Sequence, residues 1–196
     1  MPVPRRFYKR DPRVVAPELV NMLIVCGTRS GRIVETEAYC GSIDPGAHSY
    51  RGMTPRTEVM FGPPGHLYVY FSYGMHWCCN PVCGPEGEGW AVLLRAVEPV
   101  DGIDDMRPLR PKARRDVDLT NGPGKLTQAL GIDKRHNGAD LVTGDRNVTI
   151  VDDGVAPPTD PVVTWRIGFG QNPARDFPWR FFVPGNPYVS RREGAR

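Results

Sequence analysis

Two glutamates separated by a single residue stand in the stretch Gly31 to Tyr39, GRIVETEAY. In an extended chain, side chains alternate between faces. Ile33, Glu35 and Glu37 therefore share one face, and Val34, Thr36 and Ala38 share the other. A carboxylate inside a protein must be paired or functional. A Glu in partly apolar surroundings is a weaker acid than in water and can serve as a general base near neutral pH. An edge strand with its glutamates in water would carry the same pattern. The chemistry therefore depends on what faces this strand.

The second informative stretch is Gly65 to Asn80, GHLYVYFSYGMHWCCN. Aromatic and β-branched residues flank Tyr73-Gly74-Met75, a hairpin turn with Gly where the backbone needs freedom. Tyr68 and Tyr70 fall on one face, and Val69, Phe71 and Tyr73 on the other. A hairpin tip normally projects into water, where a large aromatic buries nothing, so Tyr73 is aimed at a partner. A flat ring on a rigid prong can wedge between stacked bases, and Tyr70 behind it can stack on a base drawn inward. Ordinary strand aromatics explain any one of these tyrosines, but not the tip residue.

The elements that must position these groups are short and punctuated by 21 prolines and 22 glycines. Pro2 to Arg13 reads as a basic arm, and Ala16 to Met22 as a helix with Pro17 in its first turn. A loop from Cys40 to Gly65 joins the glutamate strand to the hairpin. A turn at Pro85–Gly89 and a strand at Trp90–Val97 follow, then a short helix and basic loop over Gly102–Arg115. Asn121-Gly-Pro-Gly-Lys125 opens a helix that Gly131 closes after Leu130. Short strands are predicted near Val148–Val151, Val162–Phe169 and Arg180–Val183. Many short strands and few helices indicate an α+β fold: one compact domain over residues 1–196, with a curved, mainly antiparallel sheet, flanking helices and a protruding hairpin.

A chain of 196 residues suits one domain, and a net charge of +3 with pI 8.7 is only mildly basic. The basic residues are clustered, however, at Arg5, Arg6, Lys9, Arg10 and Arg13 and again at Arg107, Arg110, Lys112, Arg114 and Arg115. Either cluster could meet phosphates or simply be solvated. Five cysteines, without a secretory signal or an apolar membrane run, indicate a reduced cytoplasm. Cys78 and Cys79 point to opposite strand faces and Cys83 forms no paired knuckle with them, so no metal site is expected.

Together these stretches resemble the alkyladenine (3-methyladenine) DNA glycosylases of the mammalian type. The matching blocks are GRIVETEAY, Ala47-His48-Ser49, Thr54-Pro55-Arg56, Met60-Phe61 and YVYFSYGMHWCCN from Tyr68 to Asn80. Further blocks are Val92 to Pro99, Gly122 to Leu130 and Phe181 to Ser190. They run in one order from about Phe7 to Ser190. The resemblance implies a monofunctional glycosylase that flips an alkylated or deaminated purine out of duplex DNA and hydrolyses its N-glycosidic bond, leaving an abasic site. Glu37 corresponds to the general base, and Arg95 to the arginine that positions the water or an adjacent phosphate. Tyr39, His48 and Tyr70 correspond to the base pocket, Asn80 to the residue that crowds the guanine amino group, and Tyr73 to the intercalating plug. Arg56 and Lys125 are candidate phosphate contacts, although Gly122–Lys125 reads equally as a helix cap. A cationic alkylpurine should stack more strongly than a neutral one on such electron-rich rings. The implied partner is double-stranded DNA containing damaged purines, with no cofactor, no membrane and a monomeric, cytoplasmic, nucleoid-associated enzyme.

Two features depart from the family pattern. Thr57-Glu58 stands where the family often has Asn followed by a neutral or basic residue, and His76-Trp77 where the mammalian form has Tyr-Phe. Pro2 could offer an amine nucleophile of the lyase kind, but the other features of those lyases, including a zinc finger, are absent from the sequence. Two rival functions remain: a non-catalytic damaged-DNA-binding module and a small-molecule hydrolase acting on free nucleosides.

Overall fold

The computed structural model of the protein describes residues 1–190. The last six residues of the expected 1–196 domain lie outside the described residues. In chain order the strands are β1 (Leu23–Cys26), β2 (Arg29–Cys40), β3 (His66–Ser72), β4 (His76–Cys83) and β5 (Trp90–Asp101). They continue with β6 (Ala139–Asp140), β7 (Val148–Val151), β8 (Val162–Thr164) and β9 (Arg180–Phe182). The helices are α1 (Arg5–Tyr8), α2 (Pro12–Leu19), α3 (Ile103–Met106), α4 (Val117–Thr120) and α5 (Pro123–Leu130). Seven strands lie in the order β6-β3-β4-β5-β2-β1-β7, every neighbour antiparallel, and β8 and β9 join through β2. This is the α+β, antiparallel architecture expected from the sequence.

Strand β2 is central. Its start pairs with β1, its length pairs with β5, and its middle, Glu35 to Glu37, also pairs with β9. The glutamates therefore lie in the interior of a sheet, and the edge-strand alternative fails. The two faces of the sheet have different fates. Ile33, Leu67, Val69, Leu94 and Val97 join the main core with Leu19 of α2 and Leu126 and Leu130 of α5. Each such side chain, fully buried, contributes about 1.5–3 kcal/mol. On the other face of the hairpin, Tyr68 forms a smaller cluster with Met60, Val82 and Ala91, and Tyr70 packs against it.

Several elements differ from the sequence reading. The first long helix begins at Pro12, four residues before Ala16, because the Asp11 side chain caps it by accepting from the Arg13 N–H at 2.8 Å and Pro12 fits the first turn. Pro17 consequently sits in the helix interior, near its end. Pro2 to Arg13 is folded onto the body, with Val3 and Tyr8 fully buried. Arg5 reaches Asp140 at 2.6 Å, and Arg10 reaches Glu18 at 2.6 Å. Arg5 also donates to the Pro64 carbonyl, which anchors it at the base of the hairpin, away from the tip. In the second basic cluster Arg107 pairs with Asp116 and Arg115 with Asp118. Finally, the strand expected over Val162–Phe169 stops at Thr164, and residues 165–169 form a loop.

Candidate functional site

A cavity of about 530 Å³ opens on the hairpin side of the sheet, large enough for a purine. Tyr39 of β2, Tyr70 of β3, Asn80 of β4, Arg95 of β5, and His48 and Arg56 of the long 41–65 loop all line it. The fold thus brings together six residues that the sequence places in five separate motifs. Tyr73 reaches the rim, while Lys125 is absent from the lining and is held by Asn121 at 2.6 Å.

Beneath the floor lies an ionic cluster. Glu35 and Glu37 are both completely buried, and Arg95 bridges them, with Nε 2.9 Å from Glu35 Oε1 and Nη1 3.1 Å from Glu37 Oε1. The bridging is possible because register shifts in the β2–β5 pairing leave Val34 and Arg95 without opposite numbers, and such irregularities re-aim a side chain. The surroundings are therefore guanidinium-rich where the sequence suggested apolar. Glu35 also accepts from Arg180 Nε at 2.7 Å and from the Ser190 N–H and hydroxyl at 2.6 and 2.9 Å. With Arg95 this makes four bonds, three on Oε1 and one on Oε2. Burial would raise the Glu35 pKa, but Arg95, Arg180 and Ser190 outweigh it and hold the carboxyl below its ordinary value.

Glu37 is held differently. Oε1 takes the Arg95 contact and the Ile167 N–H at 2.8 Å, and Oε2 takes the Tyr39 hydroxyl at 2.8 Å. All three partners line the cavity, so the carboxylate sits immediately behind the wall with room for one more hydrogen bond on Oε2. The loop that supplies Ile167 also brings Phe169 to the cavity and buries Arg166. Arg166 grips Asp44 through its two terminal nitrogens, Nη1 and Nη2, each at 2.7 Å, and stacks on Tyr39, its centre 4.5 Å from the ring. Nothing in the motifs pointed to Arg166, Ile167, Arg180 or Ser190 as neighbours of the glutamates. The only hint was the density of aromatic and basic residues from Trp165 to Arg180.

The aromatic wall is continuous. Tyr68 and Tyr70 stack with centroids 5.4 Å apart, and His48 meets Tyr70 edge-on at 4.4 Å while hydrogen-bonding the Tyr68 hydroxyl at 3.2 Å. Crowding by this wall, and then the Arg56 charge, push the His48 imidazole down to about 4, although its cavity side is open to solvent. It is neutral at pH 7. Asn80 is fixed by donating to the Tyr68 carbonyl at 3.2 Å. Cys78 faces the cavity and Cys79 the core, in opposite directions as strand alternation requires.

The hairpin tip is strained. Ser72 accepts from the Met75 N–H at 3.0 Å, and both central residues have positive φ, Tyr73 at 48° and Gly74 at 65°. That is the sign pattern of a type I′ turn, and a tyrosine in the left-handed region is rare. Tyr73 is 86% exposed, so among the described residues its ring meets no partner that would repay the strain. The return strand is fixed from behind: α5 packs against it, Thr127 donates to the Trp77 carbonyl at 2.7 Å, and Trp77 lies 4.8 Å from Phe71. Gly124 is required there, since a Cβ would fall 2.6 Å from the His76 ring. Thr57 takes up the turn-closing task in its loop, its hydroxyl accepting from the Thr54 N–H at 2.9 Å.

A family model described as methylpurine-DNA glycosylase matches residues 6–187. The chain belongs to that family. Membership makes it a DNA glycosylase, an enzyme of DNA repair. A protein of Burkholderia cenocepacia is 56% identical over 96% of this chain and 90% of its own length. One of Carboxydothermus hydrogenoformans is 49% identical over 98% of this chain and all of its own, and one of Koribacter versatilis 43% identical over 96% and 93%. Each is named, provisionally, a 3-methyladenine DNA glycosylase. Among the described residues, no helix is long and apolar enough to cross a membrane.

Proposed function

We propose that the protein extrudes a damaged purine from duplex DNA into the cavity beside Tyr39, His48 and Tyr70. A water activated by Glu37 then hydrolyses the N-glycosidic bond and leaves an abasic site. The observation that carries this reading is the unequal holding of the two glutamates: Glu35 is held mainly by Arg180 and Ser190, which do not line the cavity, whereas all three partners of Glu37 line it and Glu37 Oε2 can accept one more hydrogen bond.

The bond breaks with the electron pair leaving on the purine, and the sugar becomes cationic. Glu37 accepts the proton of the attacking water, and its charge stabilises the sugar cation. Arg95 and the Ile167 N–H fix the carboxylate, so no reorientation is needed as charge develops. Tyr39 and Tyr70 supply stacking surface, worth ~1–3 kcal/mol per base. Asn80, rigidly held, crowds a guanine amino group. Tyr73 occupies the space that the extruded nucleotide leaves, and its exposed, strained placement supports that role. Arg56, at the cavity wall, is the better placed of the two phosphate candidates. Pro2 bridges to Val151 of β7 and does not line the cavity, which supports hydrolysis without lyase chemistry.

The decisive experiment measures release of free base from a methylated duplex under single-turnover conditions, with native protein and with Glu37→Gln. Native release that Glu37→Gln abolishes, with duplex binding kept, is the expected result. Duplex binding without any release by the native protein would leave the non-catalytic module as the function.

A further inference from the structure

The charged groups around the base cavity do not cancel. Arg95 and Arg180 face Glu35 and Glu37, and Arg166 faces Asp44. Arg56 remains: it lines the cavity, its guanidinium lies over the Tyr70 ring at 5.5 Å, and it pairs with no carboxylate among the described residues. It donates a long hydrogen bond, 3.4 Å, to the Phe71 carbonyl. Among the described residues, no Asp or Glu lines the cavity. A second guanidinium, that of Arg166, covers one face of Tyr39 at 4.5 Å. The electron-rich faces that would attract a cationic base are therefore partly engaged by the protein's own cations.

Resting on the base-flipping reading above, we propose that Arg56 is a specificity residue that biases the cavity, at the binding step, toward purines without a formal positive charge. In free protein, water screens Arg56. When a duplex covers the mouth that screening falls, and repulsion between Arg56 and a base cation grows. The depressed His48 pKa is the same effect read by a resident side chain, since Arg56 contributes to it after burial. Cationic alkylpurines would then be processed because their glycosidic bonds are weak, and neutral lesions because the cavity holds them better. This reverses the stacking preference expected from the tyrosines alone.

The test compares two bases of one shape in otherwise identical duplexes. One is 3-methyladenine, cationic as a nucleotide, and the other is 3-methyl-3-deazaadenine, its neutral counterpart. A fluorine at C2′ of both nucleotides disfavours the sugar cation, so neither is cleaved and equilibrium binding to the full-length protein can be measured. We expect the neutral base to bind tighter by about threefold or more. That ratio should fall toward one in Arg56→Gln and be kept in Arg56→Lys. Equal or tighter binding of the cation overturns the inference. So does a ratio that Arg56→Gln leaves unchanged while every duplex, undamaged included, binds more weakly, because Arg56 then serves only a phosphate. If neither modified base binds better than unmodified adenine, the base-flipping reading itself has failed.

Discussion

Glu35 and Glu37 occupy one face of one strand, two residues apart and equally buried, yet they anchor two different kinds of site. Around Glu35, two arginines and both hydrogen-bonding groups of Ser190 tie β2 to β5, β9 and the end of the described chain. Around Glu37, the partners are a tyrosine, a backbone N–H and one end of Arg95, all facing the cavity. A carboxylate held mainly by groups away from the cavity holds structure together. One held only by cavity-lining groups is placed to take a proton there. The distinction lies in the number and origin of the partners, since residue type, burial and strand face are the same.

Substitutions at the two glutamates, and then around the cavity, would break or sharpen that contrast. The largest effect is expected at Glu37. Glu37→Gln should lower single-turnover excision by roughly a hundredfold or more while duplex binding persists, because the amide cannot accept the proton. Glu35→Gln should act on the fold, destabilising it by about 3–5 kcal/mol in denaturant unfolding by leaving buried guanidinium groups undercompensated, with the folded fraction retaining excision. Equal loss of activity in the two variants would remove the distinction.

The Glu35 pKa shift also fixes the sign of a pH effect. Its folded pKa lies below the unfolded value of 4.5, so its stabilisation is complete above about pH 4.5 and is lost as pH falls through the folded value. Acid unfolding should therefore be shallower in Glu35→Gln than in the native protein.

At the rim of the cavity, Tyr73→Ser should lose most activity, about tenfold or more, on a lesion in a matched pair, where unpairing costs a few kcal/mol. The loss should be smaller opposite a mismatch, and Tyr73→Phe should be close to native because only the ring is needed. The same loss on both duplexes would move Tyr73 from extrusion to chemistry or folding.

The smallest expected effect concerns His48. Its folded pKa is depressed from 6.5 to about 4, so protonation favours the unfolded chain. Its contribution to stability is whole above about pH 6.5 and declines as pH falls from there toward 4. Comparing native protein with His48→Asn by urea unfolding at pH 7 and pH 5 isolates this contribution. An NMR titration showing His48 charging near 6.5 would refute the neutral pocket. Salt dependence of duplex binding gives a parallel check on Arg56. Arg56→Gln should flatten the slope more than removing Arg5 and Arg10, which the fold engages in ion pairs.

The sequence by itself determined the pieces whose causes are local. Alternation placed Glu35 and Glu37 on one face of a strand. The aromatic run with Tyr73-Gly74 specified a hairpin with a ring at its tip, and Gly131 closed α5 at Leu130. The ordered motif blocks named the residues that converge on the cavity. It could not separate the two glutamates by physics, because their difference rests on Ser190, Arg180 and Ile167, each more than a hundred residues away in the chain. It likewise read Arg5 and Arg10 as a free basic arm, since their partners Asp140 and Glu18 are chosen by packing. The charge balance of the base cavity was hidden for the same reason. Coulomb interactions depend on separation in space and on burial, and neither is a property of sequence order. Only the tertiary structure decided that the guanidinium groups of Arg95 and Arg166 meet carboxylates and that Arg56, at the cavity wall, meets none among the described residues.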